Sequence, residues 1–330
     1  MTLRILAAIG KNTIGDFCHD ALVASAIAAR FDDAELCVYY RDNRPYKTDI
    51  LRCVPNIHST IRNDTGGMLP IDCLGSSSAV SEITNLNDPR VRSANIIIAG
   101  DMFNAGMHSD LQIPLMELPE SWVDAGKRKL VSLGLDPSKW FAVIYWKSPG
   151  YEYRKPNPTR DIHDPSPYLA AANHILDEGG QVVRIGHPTP VPPLNRPGYV
   201  DLSREPEPHW LQMCAVAWAR FMLSSASGPS VYGCGFGTPT AICDQHELSG
   251  AWRDGDYILM RVEKETRHTA EAITRAADEM IASTHDTRGF AGRRSLRGPG
   301  IRPNAVSFPL KITPPEHLLI PPTQRGMPRE

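Results

Sequence analysis

Residues 220–244 read RFMLSSASGPSVYGCGFGTPTAICD, and the succession of patterns within them sets the expectation for the fold. Phe221, Met222 and Leu223 form a short apolar run of the kind buried on both faces of a sheet. Ser224, Ser225, Ala226, Ser227 and Gly228 follow as a loop of small residues. Pro229 then opens a helix, at the position where a missing N–H costs nothing. Gly235, Gly237 and Thr238 turn the chain, and residues 239–243 return as a second strand. Strand, small-residue loop, helix and strand make a βαβ unit. Backbone N–H groups and the positive helix end at such a loop can cradle phosphate, with serine hydroxyls adding donors. The same residues also suit an ordinary capped βα turn, so the stretch alone leaves both readings open.

The pattern extends in both directions. Residues 3–9 form an apolar strand ending at Gly10. A helix is expected over 21–31 and a second strand over 35–40, so the chain opens β, loop, α, β, as a doubly wound parallel sheet does. The first loop lacks GxGxxG. A short helix over 49–54, strands over 57–61 and 95–99, and a helix over 120–134 complete the first half. The second half repeats the alternation: strands over 140–146, 181–185 and 199–202, helices over 167–177 and 209–219, then the opening stretch. A long amphipathic helix over 266–283 follows, and the tail from Arg293 has no clear periodicity. The expected architecture is α/β, with two Rossmann-like, doubly wound domains facing across a cleft. We place an N-terminal domain at 1–125, a C-terminal domain at 126–262, a helix reaching back across the domains within 263–292 and an extended tail at 293–330.

Bulk properties bound the function. With 330 residues, 42% hydrophobic and 22% charged, the chain suits two ordinary domains of a water-soluble protein. A net charge of −2 offers no electrostatic case for nucleic acid or an anionic membrane. The seven cysteines form no CxxC pair, which fits reduced, buried thiols and a cytoplasmic setting. No apolar run approaches the roughly 18 residues of a membrane helix.

Ligands of doubly wound sheets bind beyond the carboxyl ends of the strands, so loops after strands supply the candidates. In the first half these are Lys11, Asn12, Thr13, Gly15, Asp16 and His19, with Asp101 after the strand over 95–99. A carboxylate at Asp16 can take a proton from a substrate hydroxyl; an N-cap role for Asp16 is the alternative, with Asp20 a competing cap. In the second half, Lys147 and Arg160 lie in a long proline-rich loop that also carries Asp161. Arg184 interrupts the apolar run QVVRI, and Gly186 and His187 follow it. Ser224, Ser225, Ser227 and Gly228 complete the set.

IGKNTIGDF, followed by a helix and ELCVYY, resembles the start of GT-B glycosyltransferases of the heptosyltransferase type, family 9-like enzymes in which a glycine–aspartate pair lies in the first loop. Gly15 and Asp16 take those places, and the resemblance implies Asp16 as the base. Ser227 and Gly228 match the Ser-Gly of the family's donor segment, and Gly237 and Pro239 match its Gly-x-Pro. Ala226 stands where heptosyltransferases carry aspartate. QVVRIGHP is similar to a motif of a bacterial group of glycosyltransferase-like proteins, with Tyr145-Trp146-Lys147 in place of their histidine–arginine pair. The resemblance implies metal-independent, inverting transfer of a sugar from a nucleotide-diphosphate-sugar, the co-substrate, to a hydroxyl on a small molecule or glycan, with no cofactor. A nonhydrolysing nucleotide-sugar epimerase and a non-catalytic nucleotide-sugar-binding protein are the alternatives.

Overall fold

The computed structural model describes residues 2–63, 70–71, 81–82, 87–99, 111–149, 161–188, 191–204, 208–243, 258–260 and 269–284. The described residues divide into two units, one up to Pro114 and one from Leu115 to Thr284.

In the first unit, β1 (Leu3–Ile9), α1 (Ile14–Ala28), β2 (Ala34–Arg41), α2 (Tyr46–Cys53) and β3 (Ile57–Asn63) follow in order. A small antiparallel pair, β4 (Pro70–Ile71) and β5 (Ser81–Glu82), precedes α3 (Pro89–Arg92) and β6 (Ile96–Ala99). The main sheet is ordered β3-β2-β1-β6, and every pairing in it is parallel. Ile5 to Ile9 and all of β6 are buried, which explains why these strands read as unbroken apolar runs rather than as alternation. The first helix starts seven residues before its expected position. Thr13 caps it, its hydroxyl accepting from the Asp16 N–H at 3.3 Å, so neither Asp16 nor Asp20 is the cap. Lys11, Asn12, Gly15 and Asp16 break the apolar periodicity there, which is why pattern alone placed the start too late.

In the second unit, α4 (Glu120–Ser132), β7 (Phe141–Tyr145), α5 (Ser166–Asp177), β8 (Gln181–Arg184) and β9 (Tyr199–Asp201) precede a 3₁₀ turn (Leu202–Arg204). Then come α6 (Pro208–Trp218), β10 (Phe221–Ser224), α7 (Ser230–Phe236), β11 (Thr240–Ile242), β12 (Ile258–Met260) and α8 (Ala270–Ser283). The all-parallel sheet runs β12-β11-β10-β7-β8-β9. Counted by appearance within the unit, this is the doubly wound order 3-2-1-4-5-6, which reverses between β7 and β10. β12 has three residues and was not anticipated. Trp146, Tyr168, Ile175, Phe221, Leu223, Ile273 and Met280 share one core, so α8 packs on α5 within this unit. Arg220 fastens the end of α8, donating to the Ile281 and Thr284 carbonyls at 2.7 Å, while its guanidinium stacks 4.6 Å from the Trp140 ring. In α7, Gly233 lets the helix lie against β11, since a Cβ there would fall 2.0 Å from the Thr240 hydroxyl.

Candidate functional site

The reversal of strand order in the second unit leaves a gap at the carboxyl ends of β7 and β10, where the chains leading out of the two strands diverge. Tyr145, Trp146 and Lys147 leave β7 on one side, and residues 224–228 leave β10 on the other. The two exits are bonded together. The Ser225 N–H donates to the Tyr145 carbonyl at 3.0 Å, and the Lys147 N–H donates to the Ser225 hydroxyl at 2.9 Å. The Tyr145 hydroxyl donates to the Ser227 hydroxyl at 3.1 Å. Lys147 Nζ lies 2.5 Å from Asp161 Oδ1. An ammonium has three donors, so the pairing with Asp161 leaves two directed elsewhere.

The serine loop therefore divides in two. Ser224 and Ser225 are fully buried, and the Ser224 hydroxyl donates to the Ser225 carbonyl at 2.7 Å. Both residues brace the loop, which corrects the expectation that their side chains meet a ligand. Ser227 and Gly228 are half-buried and stay accessible. The helix end differs from the expected cradle too. The N–H groups of Ser230, Val231 and Tyr232 are already taken by the carbonyls of Ser227, Gly228 and Pro229 in tight turns. The helix terminus is therefore committed within the fold, and the loop ahead of α7 is the accessible part of the stretch.

Arg184 is also corrected. It is 2% exposed, donates to Asp201 at 2.8 Å and sits 4.0 Å from the Trp146 ring centroid. It supports Trp146 from beneath rather than presenting charge to a ligand. Gly186 has φ +117, and a Cβ there would come within 3.0 Å of the Tyr145 ring. Its N–H and carbonyl are both held by the Gln212 amide, at 3.0 and 3.1 Å. Gly186 thereby keeps room for the tyrosine that reaches Ser227. His187 is held neutral, its pKa pushed down to about 3 by burial, then by His209 and Arg184, so it supplies no positive charge. Tyr145, Asp161 and Gln212 enter the site only through these contacts. Asp161 stood among the charges of the long loop, but no spacing in the sequence paired it with Lys147.

The first unit offers a second carboxyl edge, where β1 ends at Ile9 between β2 and β6. Lys11, Asn12 and Asp16 are exposed there, and Thr13 and Gly15 are half-buried. The Thr13 hydroxyl donates to Asp16 Oδ2 at 2.6 Å, holding the carboxylate over the helix start. His19 is buried, with Nδ1 3.0 Å from Asp20 Oδ1. Burial raises the Asp20 pKa, against the lowering effect of His19. The His19–Asp20 pair lies inside the helix packing and does not line the edge as expected. Asn12 turns inward, its side-chain carbonyl taken by Lys47 and Asn43.

Arg160, Asp101 and the tail from Arg293 lie outside the described residues. So does the tripeptide Asp254-Gly255-Asp256, and the expectation of metal independence rests on the family resemblance alone. Among the described residues, no group of three or more His, Cys, Asp or Glu is placed to hold a metal. None of the described helices is long and apolar enough to cross a membrane.

No family model matches the sequence, and no curated protein matches it. Among solved structures, the chain is similar to the glycosyl transferase family 9 protein of Veillonella parvula, with a TM-score of 0.57 at 12% identity over 85% of this chain and 97% of that one. It is equally similar to the ADP-heptose lps heptosyltransferase II of E. coli, with a TM-score of 0.57 at 10% identity over 86% and 99%. The likeness at these identities is one of fold. The pair of Rossmann-like units expected from the sequence is the arrangement these enzymes share.

Proposed function

We propose that the protein is a glycosyltransferase that moves a sugar from a nucleoside-diphosphate-sugar to a hydroxyl acceptor with inversion at the anomeric carbon. One observation carries the reading: at the point where the six-stranded sheet reverses its strand order, a lysine and an accessible Ser-Gly loop stand at the ends of adjacent strands. The donor diphosphate binds there, on Lys147 Nζ, the Ser227 hydroxyl and the loop at Gly228. When the glycosidic bond to phosphate breaks, negative charge grows on the leaving diphosphate. The Lys147 ammonium offsets it without a resident metal. Asp16, at the carboxyl edge of the first unit, accepts the proton of the attacking acceptor hydroxyl. Thr13, bonded to the carboxylate at 2.6 Å, fixes its orientation. All six cysteines among the described residues are free thiols and buried, in keeping with a reducing, cytoplasmic setting.

The test has two parts. Thermal unfolding is followed with UDP, GDP, ADP, dTDP and, as a monophosphate control, CMP. At least one diphosphate should raise the midpoint, and no shift with any of them would remove the donor site. Transfer is then measured with the matching nucleotide-sugars and a panel of hydroxyl acceptors. Asp16→Asn should abolish it while nucleotide affinity stays within about twofold. Full transfer by the variant would remove Asp16 from the base role, and turnover of donor without any acceptor would replace transfer by epimerisation.

A further inference from the structure

Beneath the β1–α1 loop lies a lysine that the reading above does not use. Lys47, in the first turn of α2, is 0% exposed. Its ammonium donates to the Asn12 side-chain carbonyl at 3.0 Å, to the Arg41 main-chain carbonyl at 2.9 Å and to the Asn43 side-chain carbonyl at 2.9 Å. Three acceptors from the end of β2, the β2–α2 loop and the β1–α1 loop thus meet at one nitrogen. The Phe17 ring of α1 stands 5.2 Å from the same atom. Asn12 is gripped a second and third time, by the Asn43 amide at 3.1 Å and by the Tyr46 hydroxyl on its main-chain carbonyl.

An ammonium has three N–H donors and no acceptor, and all three are used inside the protein. Lys47 therefore has nothing left with which to hold a substrate. Burying the charge is unfavourable, and the neighbouring Arg41 and Arg44 add repulsion against the attraction of Asp42. Methionine, of similar length, would fill the same space without that cost. What methionine lacks is the ability to draw three oxygens from separate loops to one point.

We propose that Lys47 is a positioning residue for the loop of the proposed base. It sets the place of Asn12 and so of the Thr13-capped start of α1, whose first turn carries the Asp16 carboxylate. The inference rests on the reading of Asp16 as base. A displacement of about 1 Å at a reacting group can lower a rate about a hundredfold, so a loop released by a few tenths of an ångström to one ångström is enough to matter.

Lys47→Met and Asn12→Ala, each in the full chain, test it by site-resolved amide exchange, by kcat and by the affinity for UDP, GDP and ADP. Exchange over residues 11–17 should speed up about tenfold or more while β2, β6 and the second unit keep their protection. Turnover should fall about ten- to a hundredfold in kcat with nucleotide affinity unchanged. The double variant should be no worse than the poorer single one, because both changes break the same link. Unchanged exchange over 11–17, or a loosened loop with wild-type kcat, would overturn the proposal. Loss of protection across the whole first unit would reduce Lys47 to a residue of general stability. If Lys47→Met does not fold, Asn12→Ala decides alone, since it leaves the bonds to Arg41 and Asn43 in place. The two readings fail separately. An active Asp16→Asn removes the base while the exchange result stands, and an inactive Asp16→Asn with undisturbed loop exchange removes Lys47 only.

Discussion

Lys147→Met separates the structural from the binding role of the lysine at the strand-order reversal. The ammonium lies 2.5 Å from Asp161, and the two side chains are 16% and 4% exposed. Removing one partner of a buried pair typically costs about 3–5 kcal/mol, because the other charge loses its compensation. Lys147 keeps some contact with solvent, which places the loss toward the lower end, about 3 kcal/mol. Lys147→Met/Asp161→Asn removes both charges and should recover most of that stability, to within about 1 kcal/mol. Nucleotide affinity should not recover. One charge-assisted hydrogen bond to a phosphate oxygen contributes about 1.5–3 kcal/mol, so the dissociation constant of UDP, GDP or ADP should rise about ten- to a hundredfold in single and double variants alike. Urea unfolding reads the first quantity and titration calorimetry the second. A double variant that binds the diphosphate as the wild type does would refute the assignment of Lys147 to the donor site, and with it the main support for the proposed function.

Arg184→Met should act on stability instead of on the ligand. It breaks a pair whose side chains are 2% and 5% exposed, at a cost of about 3 kcal/mol in urea unfolding. Nucleotide affinity below the unfolding transition should stay within about threefold, and a larger loss would restore Arg184 as a contact. Gly233→Ala places a methyl 2.0 Å from the Thr240 hydroxyl, so α7 must shift and stability should fall by about 1–3 kcal/mol; a thermal midpoint equal to wild type would show that the helix can move freely. Lys47 gives a pH dependence. Burial, reinforced by Arg41, lowers its pKa from 10.5 to about 8. Between those values the unfolded chain binds a proton that the folded chain has released, so this residue's contribution to stability rises with pH across that window, by at most about 3 kcal/mol. The difference in unfolding free energy between wild type and Lys47→Met should grow accordingly from pH 7.5 to 9.5, and a difference independent of pH would contradict it.

The strands were the legible part of the chain. β1, β6, β7 and β10 are buried on both faces, so each writes its position as an apolar run bounded by polar or turn residues, and their order in sequence already implied two β/α halves. The start of α1 was less legible, because Gly15, Asp16, His19 and Asp20 interrupt the apolar period while Thr13 does the capping. β12 was missed although residues 257–260 form an apolar run, and it is no shorter than β9 and β11, which were anticipated. The positions that make a site on such a fold, after β1, β7, β8 and β10, were also readable, since a parallel sheet puts its loops at one edge.

Local sequence could not say what each side chain does at that edge. Arg184 looked like an anion contact because it breaks an apolar run. It is spent on Asp201 and Trp146, which the strand order β7-β8-β9 brings to either side of it. Ser225 looked like Ser227, yet one braces Lys147 across 78 residues of chain and the other stays accessible. Lys47 gave no signal in RPYKTD, where a lysine reads as surface charge. Burial on a strand or helix repeats along the chain with a fixed period, so sequence alone determined the elements, their order and the edge where ligand chemistry belongs. Partnership between polar groups depends on which strands become neighbours. Only the tertiary structure decided which of the candidates are buried and committed within the fold and which, at Lys147, Ser227 and Asp16, keep contact with solvent.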